Sequence, residues 1–423
     1  MKKLSSYLLI ILIVFFIFEN LNTVTAFAYT LEDSPQIIAD KAITIDVDTK
    51  EIIYTKNADI KAQPASTTKL MTALLFSLYK DKNDMLTFTE NAISQPSSSV
   101  YKDFSLKLSP GDLILADTVM KGLMLHSGND MASVIAENIS GDIDSFANLM
   151  NEKAKEFNMT NTHFSTPSGL DTDEALNGKE HYTTAYDLSI LGNYALNDSW
   201  VLGTSSLDNI ILDIDESTSI NLVNGNKNLN NNGCLGGKTG FTTKAGRCLV
   251  ALYERDGRKI LGVVMGSTYS DYFDDMEKII DYSYSLNPTT IYKNGEILTA
   301  ESIAFKFLRL FGPETTCDIP LIINEDIYQY SNDINDNETE ILFDTNIDPW
   351  NLSENSIVGT VTIKERDSSK TFNLYTNITT KDLIKENIKF YIVCVSIIIA
   401  IVILLIIIIR KKLKKKNELI SHV

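Results

Sequence analysis

An uncharged run from Phe390 to Ile409, near the C-terminus, most limits how this chain can be organised. The run is apolar almost throughout, and it matches the length of about 20 residues that a helix needs to cross a bilayer. Arg410 and a cluster of lysines follow at once. By the positive-inside rule, such a basic tail, here residues 410–423, is cytoplasmic. The sequence therefore predicts a single-pass protein of the cell membrane, with a transmembrane helix at 390–409 and its main part outside the cytoplasm.

The N-terminus carries a second export signal. Lys2 and Lys3 precede an apolar run from Tyr7 to Phe18, and a small-residue site, Ala26-Phe27-Ala28, follows. A basic start, an apolar centre and an A-x-A site are typical of a secretory signal peptide. We therefore predict that residues 1–28 are a signal peptide removed after Ala28. The alternative is an uncleaved anchor helix.

Charge and cysteine content exclude some classes of function. The net charge is −17, and the basic tail lies beyond the predicted span, so the exported part is more acidic still. Nucleic-acid binding is therefore not expected. Four cysteines are too few for a disulfide scaffold, and Cys394 falls in the span. Cys234 and Cys248 either face each other across a hairpin or, as we favour, are unpaired buried thiols.

The pattern of elements between the two ends indicates an α/β protein of the α+β type. β-rich hairpins lie near both ends of residues 29–287, as in "AITIDVDTKEIIYTKNAD" and "RCLVALYERDGRKILGVVMGS", and helical periodicity fills the middle. The stretch "DYFDDMEKIIDYSYSL" closes the region as a helix. Hairpins without strand–helix–strand repeats favour an antiparallel sheet flanked by helices. Asn287-Pro288 is a plausible boundary. The strand-like stretches "EILFDTN", "SIVGTVTIKE" and "TFNLYTNI" predict a small β-rich domain over residues 288–385.

The stretch "QPASTTKLMTALLFSL", beginning at Gln63, places Ser66 and Lys69 in the first turn of an almost wholly apolar helix. Residues at i and i+3 lie on one helix face, about 5–6 Å apart at Cβ. A lysine in an apolar setting has a lowered pKa, because desolvation disfavours its charged form. Such a lysine can accept the serine's proton. Taken alone, the pair is also compatible with a serine cap and a solvated lysine.

Two further motifs carry polar groups suited to a peptide substrate. Ser127-Gly128-Asn129 offers a hydroxyl that can relay a proton and an amide that can bond a carbonyl. Lys238-Thr239-Gly240 offers a cation, a hydroxyl and a glycine at which another backbone can approach closely. Each motif alone is compatible with a simple turn or a surface hairpin.

Together, S-x-x-K, S-x-N and K-T-G in this order are the signature of penicillin-binding proteins and serine β-lactamases. The chain resembles the D-alanyl-D-alanine carboxypeptidases among the low-molecular-mass penicillin-binding proteins, from the signal peptide to about Lys381. Stretches such as "HSGNDMASVIAE", "THFSTPSGLD" and "GGKTGFTTKAG" extend the resemblance beyond the three motifs. It implies a domain of the β-lactamase/transpeptidase type.

On the helical side of the site, the resemblance implies that Ser66 is the acylated nucleophile and that Lys69 is its general base. Ser127 would pass the proton to the leaving D-alanine, and Asn129 would orient the substrate amide. Which group deprotonates the serine is disputed across this superfamily, so the role of Lys69 is a hypothesis.

On the strand side, the resemblance implies that Lys238 and Thr239 line the site, with Thr239 placed for the terminal carboxylate. Gly240 belongs to the same substrate-binding strand. The backbone N–H groups of Ser66 and Phe241 would form the oxyanion hole.

One departure from the family pattern concerns the substrate carboxylate. Many members have an arginine in the helix after the last sheet strand, where this chain reads "STYSDYFDDMEK". Lys238 and Thr239, together with Lys244 or Arg247, would have to replace it.

The expected activity is removal of the terminal D-alanine from peptidoglycan stem peptides, with β-lactams as covalent inhibitors and a role in cell-wall organisation and cell shape. The alternatives are D,D-endopeptidase or β-lactamase chemistry on the same site, or a non-catalytic penicillin-binding wall module. A class A β-lactamase usually has Ser-Asp-Asn where this chain has Ser127-Gly128-Asn129. No cofactor is expected, and His126, His163 and His181 lack the spacing of metal ligands and are interpreted as structural.

Overall fold

The computed structural model describes residues 34–420, apart from 97, 216–217, 311, 339–340, 344–346 and 367. The predicted signal peptide therefore lies outside the described residues. By its contacts the chain divides after Gln36, and the unit from Ile37 to Val423 contains every element considered below.

The strands follow one another through the chain from residue 41 to residue 376. In chain order they are β1 (Lys41–Asp46), β2 (Ile52–Lys56), β3 (Met85–Thr87), β4 (Leu113–Leu115), β5 (Asn209–Asp215), β6 (Thr218–Val223), β7 (Cys234–Thr242), β8 (Gly246–Arg255), β9 (Arg258–Ser267), β10 (Thr289–Tyr292), β11 (Ile297–Lys306), β12 (Glu314–Ile323), β13 (Ile327–Gln329), β14 (Ile341–Phe343), β15 (Ser356–Glu365) and β16 (Ser368–Thr376).

The helices occupy mainly the centre and the end of the chain. In chain order they are α1 (Lys69–Tyr79), α2 (Glu90–Ser94), α3 (Val100–Asp103), α4 (Ala116–Met124), α5 (Asn129–Ser140), α6 (Ile143–Glu156), α7 (Asp173–Leu176), α8 (Ala185–Asn197), α9 (Ser199–Ser205), α10 (Tyr272–Ser285), α11 (Asn335–Glu338), α12 (Thr380–Glu386) and α13 (Ile388–Ile420).

The first large sheet is five-stranded and antiparallel, in the order β2-β1-β9-β8-β7. Its central hairpin turns at Asp256 and Gly257, whose φ angles are +51° and +80°. Positive φ at both central residues matches the type I′ turn that the Asp-Gly pair predicts. Strand β7 is an edge strand, so one side of it is open to a substrate. The predicted antiparallel sheet is confirmed.

Helices cover both faces of this sheet. On one face the sheet packs against α10 through Met276, Ile279 and Ile280. The other face shares a larger core with α1, whose Leu70, Met71 and Leu75 are fully buried. Because α1 is surrounded by apolar side chains, the polar groups of its first turn lie in a dry environment.

The C-terminal β-rich region, which the sequence predicts, is confirmed and forms a second five-stranded sheet in the order β11-β12-β16-β15-β14. It has its own apolar core, with Ile319, Leu321 and Leu374 fully buried. The β11–β12 hairpin was not predicted. In strand β11, Ala300, Glu301 and Ala304 interrupt the β-favouring residues. Strand β12 contains Pro320, which pairs with Ala300 of β11 but lies outside the short register with β16.

Helix α13 contains the predicted span. Among the residues that the structure describes, it is the one helix long and apolar enough to cross a membrane, over Ile388–Leu413. Its apolar side chains are exposed in the protein, as expected for a surface that lipid would cover.

The cysteines, all within the described residues, are free. In the β7–β8 register, Cys234 lies opposite Tyr253 and Cys248 lies opposite Gly240, so the two thiols do not face each other. Burial raises the pKa of the Cys248 thiol to about 11.

Candidate active site

Ser66 lies in a 3₁₀ turn, Ala65–Thr68, that runs directly into α1. Ala65 before it has a left-handed φ of +48° although it is not glycine. Such backbone is uncommon and persists where the surroundings fix it, often at functional sites. N–H groups at the start of a helical segment lack intrahelical acceptors, so this turn can offer donors to a developing anion.

Lys69 is fully buried and its amine is the centre of the site. Its Nζ lies 3.0 Å from Ser66 Oγ, 2.9 Å from Asn129 Oδ1 and 2.8 Å from the backbone oxygen of Ser168. The structure thus brings together the first residue pair and the asparagine of the second motif around one nitrogen.

Burial controls the charge of the two lysines in the site. The pKa of Lys69 lies well below its usual value, first because of desolvation and then because of repulsion from Lys238, with the Asp130 carboxylate opposing both. Desolvation likewise lowers the pKa of Lys238 to about 7. Lys69 is therefore suited to the neutral form, and Lys238 is poised between neutral and charged near pH 7.

The loop between α4 and α5 presents Ser127 and Asn129. Ser127 has a left-handed φ of +64°, and its buried hydroxyl has no hydrogen-bond partner among the described residues. Asn129 is the first residue of α5, and its backbone N–H donates to Ser98 O at 2.7 Å. The next residue, Asp130, accepts backbone N–H bonds from Val100 and Tyr101, which holds this loop against α3.

Strand β7 carries the third motif along the other side of the site. Lys238 is buried, and its Nζ donates to the backbone oxygen of Thr239 at 3.0 Å. At Gly240 a Cβ atom would lie 3.0 Å from Ser66 N. Only glycine allows the strand to pass this close to the backbone of Ser66 without displacing it.

Arg247, on β8, is the cation that the structure places beside Phe241, its register partner. Its guanidinium carbon lies 4.2 Å from the centre of the Phe241 ring and 4.6 Å from that of Tyr269. The buried Arg247 Nε has no hydrogen-bond partner among the described residues. Lys244, by contrast, donates to Asp171 O and to Asp173 Oδ1, both at 3.1 Å.

The sequence interpretation missed the groups of the 162–171 stretch that hold the turn of Ser66 in place. The Ser168 carbonyl bonds Lys69, and Gly169 is so close to Ala65 that a Cβ there would lie 1.8 Å from Ala65 O. Both residues belong to "THFSTPSGLD", which carried the resemblance but was given no role. The role of a backbone carbonyl does not depend on its residue type, so no sequence pattern reveals it. Gly169 was the one sign in that stretch that another part of the backbone passes close by.

His181 is a second missed support of the same turn. Its Nδ1 accepts the Ser165 backbone N–H at 3.0 Å, so its Nε2 carries the proton and donates to Thr68 Oγ1 at 3.1 Å. Burial lowers its pKa to about 3, so the ring is neutral at physiological pH. His126 bonds Asp103, and His163 pairs through its backbone with Tyr182.

Comparison with known proteins adds a family to this geometry. The family model of D-alanyl-D-alanine carboxypeptidases matches residues 28–268. The D-alanyl-D-alanine carboxypeptidase DacF of Bacillus subtilis is 30% identical over 335 residues, which cover 77% of this chain and 82% of that protein.

Solved structures agree. The D-alanyl-D-alanine carboxypeptidase DacD from Francisella tularensis shares the fold, with a TM-score of 0.59 at 23% identity over 82% of this chain and 94% of its own. Penicillin-binding protein D2 from Listeria monocytogenes, in its cefotaxime-bound form, gives a TM-score of 0.53 at 27% identity, covering 60% of this chain and 99% of its own. The chain therefore belongs to the D-alanyl-D-alanine carboxypeptidase family.

Proposed function

We propose that this protein removes the terminal D-alanine from peptidoglycan stem peptides, through an acyl-enzyme on Ser66, while tethered to the outside of the cell membrane. The family supports a serine D,D-carboxypeptidase. The observation that carries the residue assignments is the buried Lys69 amine, 3.0 Å from Ser66 Oγ.

The hydrogen-bond inventory around Lys69 supports its role as general base. A neutral amine has two N–H donors and one lone pair. Asn129 Oδ1 and Ser168 O are acceptors that cannot donate, so they take the two donors. The lone pair then faces the Ser66 hydroxyl, which becomes the donor in that contact. Lys69 accepts the proton as Ser66 Oγ attacks the carbonyl carbon between the two terminal D-alanines.

Different groups of the site stabilise the oxyanion and protonate the leaving group. The backbone N–H groups of Ser66 and Phe241 stabilise the negative oxygen of the tetrahedral intermediate. Ser127 relays the proton from Lys69 to the departing D-alanine nitrogen, a role that suits a buried hydroxyl with no partner among the described residues. Water then adds to the acyl carbon, the ester bond to Ser66 Oγ breaks, and a proton from the water passes to Oγ. The shortened peptide leaves as its carboxylic acid, and the Ser66 hydroxyl is restored.

Three groups on the strand side bind the substrate's terminal carboxylate. Lys238 supplies positive charge, and the Thr239 hydroxyl supplies a neutral donor. Arg247 replaces the arginine missing from "STYSDYFDDMEK", because it lies against Phe241 next to the motif and Lys244 is already engaged by Asp171 and Asp173.

The location and inhibitors follow from the same account. Helix α13 spans the cell membrane with its basic tail in the cytoplasm, which holds the catalytic region, residues 29–287, outside after signal-peptide removal. The β-rich domain, 288–385, separates the site from the bilayer. The cefotaxime-bound relative supports covalent inhibition by β-lactams, which would acylate the same serine.

Mass spectrometry of the β-lactam adduct tests the residue assignment. The full-length protein should gain one β-lactam mass, located by peptide mapping on Ser66, and Ser66→Ala should gain none. Ser77→Ala is the matched control, since Ser77 lies on α1, the helix that follows Ser66, and bonds only its own helix backbone at Leu74 O in the described contacts. An adduct on another serine would overturn the assignment.

A further inference from the structure

An apolar groove lies where the C-terminal sheet meets the start of α13. It has a volume of about 520 Å³ and is lined by Phe307, Leu308, Arg309, Trp350, Ile384 and Tyr391. Leu310, which directly follows Arg309 in the chain, is 78% exposed. A contiguous exposed apolar surface of this kind marks an interaction site.

The groove is fixed to the apolar helix by direct contacts. The Tyr391 hydroxyl donates to the backbone oxygen of Phe307 at 2.7 Å, and the ring of Phe307 stacks on that of Phe390 at 4.0 Å between centres. Phe390 and Tyr391 begin the uncharged run of α13. The groove therefore lies at the level where the proposed span meets the water interface.

We propose that residues 308–310, together with Trp350 and Ile384, form an interfacial surface that is embedded in the lipid headgroups and upper acyl chains around α13. This inference rests on the proposed membrane span and goes beyond it. It makes the β-rich domain a bilayer-bound platform of fixed orientation, rather than a free stalk above a single helix.

The composition of the surface fits lipid better than protein. Tryptophan and tyrosine, here Trp350 and Tyr391, are the side chains enriched at membrane–water interfaces. Trp350 Nε1 is satisfied by Lys306 O at 2.9 Å, so its ring can meet acyl chains without an unpaired donor. Arg309 extends from the same groove with its side chain 57% exposed. One guanidinium nitrogen donates to Asn351 Oδ1 at 3.0 Å and lies 3.9 Å from Asp348 Oδ2, so the remaining donors are the ones that would reach a lipid phosphate.

Tryptophan fluorescence in the full-length chain tests this directly, because the protein contains two tryptophans. Trp200 is buried in the catalytic core and supplies a constant background. In the Trp350→Phe background, three variants each add one tryptophan: Leu310→Trp on the proposed surface, Ile399→Trp in the centre of the span, and Ile211→Trp as a control. Ile211, on β5, is 70% exposed, comparable to Leu310.

The variants are reconstituted in phosphatidylcholine vesicles with or without bromine on the acyl chains. The added Trp at 310 should lose about half of its emission or more in brominated lipid, because interfacial side chains lie about 5–10 Å deep. The added Trp at 211 should lose little. D-alanine release from a soluble peptide should be unchanged in all variants, which checks folding and separates this proposal from catalysis.

Three outcomes overturn the inference in distinguishable ways. If Trp at 399 is quenched but Trp at 310 is not, the span is correct and the interfacial surface is wrong. A blue-shifted but unquenched Trp at 310 would show that protein, not lipid, covers the surface. If Trp at 399 is also unquenched, the membrane span fails and the interfacial surface with it.

Discussion

Replacement of Lys69 by methionine removes the amine from Ser66 and leaves an unbranched side chain in the same buried volume. If the amine takes the serine's proton, its loss removes general-base catalysis, which is worth about 10²–10⁴-fold in rate. We expect the second-order rate constant for acylation by a fluorescent penicillin to fall by about that factor. The assay is the time course of labelled protein on a gel, with Ser66→Ala as the unlabelled limit.

A structural effect of the same change has to be separated from the chemical one. Asn129 Oδ1 and Ser168 O each lose a donor, and an unsatisfied buried acceptor costs about 1–3 kcal/mol. Part of this cost is offset because the buried amine was itself unfavourably desolvated. Thermal unfolding of each variant therefore accompanies the labelling, and only folded protein is compared.

Lys69→Arg distinguishes a base from a positive charge. Arginine keeps the donors but remains protonated in proteins, so it cannot accept the serine's proton. We expect it to be as slow as Lys69→Met. In the wild type the acylation rate should rise with pH as Lys69 loses its proton and then level off, and both variants should lose this rise. A folded Lys69→Met protein that is labelled within a few-fold of the wild-type rate would refute the reasoning.

Three further predictions follow from the site. Arg247→Gln should raise KM for a D-Ala-D-Ala peptide by about 10- to 100-fold, since a hydrogen bond to a charged group is worth about 1.5–3 kcal/mol. The control Lys244→Gln should change KM little, and equal effects of the two variants would contradict the assignment. Because the Lys238 pKa is about 7, its positive charge is present below that pH and lost above it. The KM of the wild type should therefore rise by up to about tenfold per pH unit above pH 7, and the KM of Lys238→Gln should not change with pH. The His181 pKa is about 3 in the folded state and about 6.5 in the unfolded state, so the unfolded state binds more protons between these values. Urea denaturation should therefore show about 2 kcal/mol less stability from this residue at pH 5 than at pH 7. An identical pH dependence in His181→Gln would contradict this.

Local sequence patterns predicted those elements in which hydrophobic periodicity and turn residues indicate the same structure. The Asp256-Gly257 turn, the apolar helix after Ser66 and the break at Ser127-Gly128 each combine periodicity with turn chemistry, and each appears in the structure. The β11–β12 hairpin did not stand out, because Ala, Glu and Lys interrupt the β-favouring residues of β11 and a proline interrupts β12. Packing against the second core overrides those local preferences.

The candidate site shows the same division. The side chains to which we assign the chemistry, such as Ser66 and Lys69, are visible as motifs because that chemistry requires their residue types. The Ser168 carbonyl, the left-handed backbone of Ala65 and the proton that His181 donates to Thr68 depend on the tertiary path of the chain. The contact of Arg247 with Phe241 depends on the strand register, which sequence spacing alone does not determine.

Release of D-alanine by the full-length protein tests the central claim most directly. The protein is incubated with a peptide ending in D-Ala-D-Ala, and free D-alanine is measured alongside Ser66→Ala. The account predicts release by the wild type and none by the variant. Equal release by both would show that Ser66 is not the nucleophile, and no release by either would contradict carboxypeptidase activity.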